Sequence, residues 1–309
     1  MSSDNLYVNK LSSEQISTLE KHLISQGWEF SELNHAHWKA ALNKTNVSAY
    51  KSGKVCIQGK GTKELVQYFI EPEILGEVRF GYEEELFESE NSDQLKPHCG
   101  IDESGKGDFF GPLVITCAYT DARSAKALFK LGVTDSKKIK SDKKMCTLAT
   151  EIKKVLIGKY ATVALGPEAY NRFYKKERNL NTMLGWGHAR SLENLLQKVP
   201  DCPMAISDQF SKTGSVTKAL MEKGKQVELI ERTKAEEDIA VAAASILARA
   251  EFVTRLDRLG KEYGIELPKG ASPKVIEAGI KLVDKFGEEV LEKVSKTHFK
   301  TKNDILGIS

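Results

Sequence analysis

Polar and apolar positions follow two periods along this chain. Residues 12–26 repeat apolar side chains at helical spacing, with Ser12 or Ser13 near the start and Gly27 past the end, and predict an amphipathic helix. Residues 38–42, 47–50 and 54–58 read as short strands, and Lys51-Ser52-Gly53 turns the last two into a hairpin. A second helix is expected over 62–70. Further on, 98–102 and 112–120 read as neighbouring strands, followed by a helix over 143–157 and a strand over 160–165. A helix over 182–198, strands over 204–207 and 226–230, a long helix over 235–259 and a helical tail over 273–295 complete the pattern. Strands mixed with helices and opened by a hairpin predict an α/β layer structure rather than a bundle. No internal repeat interrupts this order.

The periodicity lapses between Tyr82 and Asp93, where six acids stand without a base. Such a polar, self-repelling run suits a linker. It divides the 309 residues into a first domain over 1–81, an acidic linker over 82–96 and a larger domain over 97–309, each long enough to bury a core. Charge follows the division. Residues 1–80 carry 9 basic and 9 acidic side chains, while 94–309 carry 37 and 28, a balance of +9. A basic domain that gathers its carboxylates at a few points suits a polyanion held around metal ions, although a solvated lysine-rich surface has the same balance. No apolar run is long enough to span a bilayer, and the start lacks the pattern of a secretory signal. Five cysteines without a CxxC pair suit reduced thiols in a cytoplasmic protein.

Candidate chemistry concentrates at 100–108, Gly-Ile-Asp-Glu-Ser-Gly-Lys-Gly-Asp. Carboxylates bind hard divalent cations, and glycines flanking a lysine let a backbone and a point charge approach phosphate. Adjacent strand residues point to opposite faces, so Asp102 and Glu103 can share a site only if the strand ends there, as Ser104-Gly105 allows. A turn begun by Asp102 is the plainer alternative. Asp208 follows the apolar run Met204-Ala205-Ile206 and stands at another strand tip, where ligands of open α/β sheets bind. Glu236, Glu237 and Asp238 open the long helix, where Thr233 and Glu236 make a capping box; the small residues that follow would let this helix pack tightly on a sheet. Gly53–Gly61 superficially resembles a phosphate-binding loop, but its spacing is wrong and Gly61 stands where a hydroxyl must hold magnesium.

Together these segments resemble the type 2 ribonucleases H, and within them the ribonuclease HIII branch. The resemblance runs through residues 100–112, Val133-Thr134-Asp135-Ser136-Lys137-Lys138, Asn179-Leu180-Asn181, Gly187-His188-Ala189-Arg190, Ser207-Asp208-Gln209-Phe210, Lys234-Ala235-Glu236, Ala242-Ala243-Ala244-Ser245-Ile246 and residues 267–272. Ala49-Tyr50-Lys51-Ser52-Gly53-Lys54-Val55 resembles that branch's N-terminal TATA-binding-protein-like, substrate-binding domain. Lysine in Gly105-Lys106-Gly107 and Glu as the fourth acid also point to HIII rather than HII. The resemblance implies a ribonuclease H-like mixed sheet with helices on both faces, plus a small α+β domain. It implies an endoribonuclease that cuts the RNA strand of RNA–DNA hybrids with two Mg²⁺ or Mn²⁺ ions, held by Asp102, Glu103, Asp208 and Glu236. Glu237 and Asp238 follow at once, and a small shift of the match would choose one of them as the fourth acid instead. Gly105, Lys106 and Gly107 would meet the RNA strand, and Lys137 and Lys138 its phosphates. His188 is expected to be structural and Asp135 to cap a turn. A monomer with no protein partner is expected. Ribonuclease HII-like cutting at single ribonucleotides, a non-catalytic hybrid-binding protein and another two-metal nuclease are the rival readings.

Overall fold

The structure, a computed structural model, describes residues 5–134, 136, 139–209 and 214–308. It divides into two compact units, Met1–Ser92 and Asp93–Ser309.

In the first unit, Ser12 Oγ accepts from the Gln15 N–H while the Gln15 side chain accepts from the Ser12 N–H. This reciprocal cap starts α1 (Ser13–Ser25). Among the described residues one five-stranded antiparallel sheet forms, in the order β1 (Leu6–Lys10), β5 (Lys54–Gly59), β4 (Thr45–Tyr50), β3 (Ala36–Leu42), β2 (Glu29–Ser31). Trp38, Ala40, Val47, Ala49, Val55 and Ile57 face α1 and the helical stretch that begins as α2 (Thr62–Leu65) and widens to a π-turned segment, Val66–Leu75. Strands β1 and β2 carry no clear apolar alternation: β2 is exposed throughout, which is why its sequence did not announce it. The acidic run is not irregular. Glu83, Glu84 and Glu85 occupy the first turn of α3 (Glu83–Glu90), where carboxylates complement the helix dipole, and Phe87 is buried.

The second unit has one mixed five-stranded sheet among the described residues, ordered β10 (Glu228–Arg232), β9 (Met204–Asp208), β6 (His98–Ser104), β7 (Leu113–Thr120), β8 (Tyr160–Leu165). β6, β7 and β8 run antiparallel in turn, whereas β9 lies parallel to both β6 and β10. Helices cover both faces. α4 (Ala122–Lys130), α5 (Asp142–Val155) and α9 (Ile239–Tyr263) bury one, and α6 (Pro167–Glu177) and α7 (Leu180–Leu196) the other. The short α8 (Ser215–Ala219) precedes β10. A third cluster joins Phe109, Phe110 and Val114 to α9, α10 (Pro273–Phe286), α11 (Val290–Val294) and α12 (Thr301–Leu306). The helical tail expected over 273–295 thus breaks at Gly287, whose φ of 80° ends α10.

The start of α9 also differs from expectation. Lys234 adopts a left-handed φ of 56°, Ala235–Glu237 forms one short turn, and Asp238 caps the helix by accepting from Ala240 N (2.9 Å) and Val241 N (3.2 Å). Asp238 wins over Thr233 because it is buried and also meets His98 Nε2 at 3.1 Å. The small residues of α9 do pack tightly: a Cβ on Gly100 of β6 would overlap the backbone of Ala240 and Val241.

Candidate active site

Backbone pairing creates the site. β6 and β9 stay paired only to Ile101 opposite Ser207, while β6 continues against β7 to Ser104 opposite Val114. Asp102 and Glu103 therefore sit on a strand that has lost one neighbour. Even positions of β6 face α9, as Gly100 does, and odd positions face α7, as Ile101 does. The notch beyond β9 nonetheless opens both acids to one cavity of about 300 Å³. Asp208, at the tip of β9, and Glu236, in the turn before α9, line the same cavity, as does Gly105-Lys106-Gly107. Glu237 is exposed and Asp238 is buried as the helix cap; neither lines it. Lys137, Lys138, Asp135 and Phe210 lie outside the described residues.

The turn after β6 is held from below. Gly105 has a φ of 91°, and a side chain there would run into the Pro112 carbonyl. Lys296 is fully buried, and its Nζ donates to the carbonyls of Asp108 (2.8 Å), Gly111 (2.8 Å) and Phe110 (3.4 Å). Burial pushes this ammonium down to about 7, against the opposing charge of Asp108. Gly270 N donates to Asp108 Oδ1 at 2.6 Å, so that carboxylate is turned to the scaffold.

Electrostatics separate the two adjacent acids. Burial and the neighbouring Glu103 charge push Asp102 up to about 7, although Ser245 hydrogen-bonds its carboxylate. Burial raises Glu103 as well, but His188 and Lys106 outweigh it and hold that carboxyl below its ordinary value. His188 Nε2 lies 3.1 Å from Glu103 Oε2, and Lys106 Nζ 3.6 Å from Oε1. Arg249, one turn beyond Ser245 on α9, also reaches the cavity, with Nη1 donating to the Ser136 carbonyl at 2.6 Å.

Among the described residues no three acidic, imidazole or thiol groups stand close enough to hold one ion as they are. The donor chemistry still fits hard divalent cations: four carboxylates wall one cavity, and Asp102 carries a repulsion that a cation would relieve. Sequence reasoning did not find Lys296, since a lysine is the side chain least expected in a core. Arg249 could have been found, because four residues on from Ser245 it shares that helix face. Among the described residues no helix is long and apolar enough to cross a membrane.

The sequence profile of Ribonuclease HII matches residues 99–302, and that of a domain of unknown function (DUF3378) matches 7–76. Ribonuclease HIII of Chlamydia trachomatis serovar L2 is 41% identical over 304 residues, covering 97% of each chain. Ribonuclease HIII of Protochlamydia amoebophila is 41% identical over 307 residues, covering 99% of each. Among solved structures, Bst-RNase HIII in complex with Mn²⁺ superposes with a TM-score of 0.64 at 28% identity, covering 98% of each chain. RNase H3 of Aquifex aeolicus gives a TM-score of 0.52 at 26% identity, covering 94% of this chain and 99% of its own. Matched so over nearly its whole length, the chain belongs to the type 2 ribonuclease H family, in its ribonuclease HIII branch.

Proposed function

We propose that this ribonuclease hydrolyses the RNA strand of RNA–DNA hybrids as an endonuclease, at the cavity walled by Asp102, Glu103, Asp208 and Glu236, and leaves 5′-phosphate and 3′-hydroxyl ends. The observation that carries the reading is the convergence of those four acids and the Gly105-Lys106-Gly107 turn on one cavity. Mn²⁺ in the crystal of Bst-RNase HIII supports divalent cations as the cofactor, and the four acids would hold two Mg²⁺ or Mn²⁺ ions here. When bound, such ions supply Lewis acidity to the phosphoryl oxygens and lower the pKa of an attacking water. The chain supplies the rest by positioning. Asp102 and Asp208 come from adjacent parallel strands, and Glu236 from a turn fixed by the buried Asp238 cap. Lys106 offers its charge to a backbone phosphate, joined by Lys137 and Lys138, and the glycine backbone beside it approaches a 2′-hydroxyl, the group that separates RNA from DNA.

The first unit serves as a grip on the duplex. Its helices cover one sheet face, while Lys39, Asn46, Ser48, Cys56 and Gln58 share the other, more exposed one. The five cysteines are unpaired, which supports work in a reducing cytoplasm. The test is cleavage with Mg²⁺ of three substrates side by side: an RNA–DNA hybrid, a DNA duplex with one embedded ribonucleotide, and plain DNA. The hybrid should be cut fastest and plain DNA not at all. Preference for the single ribonucleotide would replace this reading with the HII one, and an intact hybrid would leave only binding.

A further inference from the structure

His188 is fully buried on α7, and both of its ring nitrogens are engaged at the strand ends. Nε2 lies 3.1 Å from Glu103 Oε2 and Nδ1 lies 3.0 Å from Ser207 Oγ. A carboxylate oxygen only accepts, so Nε2–H is the donor to Glu103. One rigid ring thus ties Glu103 on β6 to the residue just before Asp208 on β9, across the point where the two strands stop pairing. In outline, Ser207, His188 and Glu103 form the relay of a serine nucleophile, its base and an orienting acid. That chemistry is closed to them, because Ser207 and His188 are both fully buried and no substrate carbonyl or phosphate can reach the hydroxyl.

We infer that His188 is a positioning residue for metal binding: it holds the Glu103 carboxylate by one oxygen and keeps the ends of β6 and β9 at the separation from which Glu103 and Asp208 serve the same ions. The inference rests on the metal-dependent reading above. Its physical basis is preorganisation. Glu103 is held at both oxygens, by His188 from within and by Lys106 at 3.6 Å from the cavity side, while Asp102 meets Ser245 and the Glu103 N–H. A ligand fixed by a buried donor loses little rotamer freedom when a cation arrives, and loss of such an outer partner costs about 10–100-fold in metal affinity.

The test titrates the full chain with Mn²⁺ alone, by calorimetry and by the metal-induced rise in melting temperature, beside hybrid cleavage. His188→Phe keeps the ring volume and removes the donor. It should weaken Mn²⁺ binding by about 10–100-fold and lower kcat, with KM for the hybrid unchanged. His188→Gln keeps an N–H donor and should regain most of the affinity. If His188→Phe does not fold, Ser207→Ala carries the test by releasing only the Nδ1 side, and should still weaken Mn²⁺ binding. A His188→Phe or Ser207→Ala protein that folds and binds Mn²⁺ as tightly as the parent overturns the inference, as does one whose only change is a lower metal-free melting temperature. A parent chain that takes up no Mn²⁺ overturns the metal reading itself and the positioning role with it.

Discussion

Asp102 bears the sharpest electrostatic conflict in the cavity, since burial and Glu103 push it up to about 7. Its pKa is higher folded than unfolded, so the folded chain holds a proton there that the unfolded chain has lost between pH 3.8 and about 7. The metal-free protein should therefore lose stability as pH rises through that window, and Asp102→Asn should flatten the loss. Melting at pH 5 and pH 8 without metal checks this; an equal pH slope in both proteins would remove the claimed repulsion. Lys106 makes a different contribution. Lys106→Ala should raise KM for the hybrid and reduce its dependence on salt by about one phosphate contact, read from KM across a salt series. The acids and the glycine-flanked lysine were legible in the sequence because cation and phosphate binding admit few residue types. His188 and Lys296 were not legible as parts of the site. What they do depends on which way α7 faces and where residues 294–297 run, and these are tertiary facts.

Elements deliver the site: β6 carries Asp102 and Glu103, β9 carries Asp208, and α9 packs against β6. It lies so close to β6 that a Cβ on Gly100 would overlap its backbone. Gly100→Ala should cost about 3 kcal/mol or more and reduce cleavage with it, because α9 carries Ser245 and follows the Glu236 turn; denaturant melts with activity assays measure both. An unchanged midpoint would mean the helix is free to retreat. At α4, bonds from Lys159 and Ser124 overcome burial and hold Asp121 at about 2. Its folded pKa is depressed, so its contribution exists above pH 3.8 and disappears as pH falls through about 2. Asp121→Ala should cost about 1 kcal/mol at neutral pH and progressively less as pH falls below about 2. Helix and strand periods marked most elements, yet the start of α9 was misplaced by four residues. Both Thr233 and Asp238 are good caps by type, and only burial beside His98 decides between them.

At the scale of the whole molecule, charge and chemistry divide between two units, with the excess of basic side chains beyond residue 93. The hairpin and the α/β order read directly from the chain, whereas the acidic stretch looked like a linker because its helix has one buried face residue, Phe87, and no stripe. If the first unit grips the duplex, residues 93–309 alone should bind hybrid about tenfold or more weakly than the full chain, as measured by anisotropy; equal affinity would remove that role. The central claim, hydrolysis at four acids on one cavity, is tested most directly by Asp102→Asn in the full chain, assayed on an RNA–DNA hybrid with Mg²⁺. Cleavage should fall by about a thousandfold, the several kcal/mol that metal-ion assistance supplies, while hybrid binding persists. Undiminished cleavage by Asp102→Asn would contradict the account.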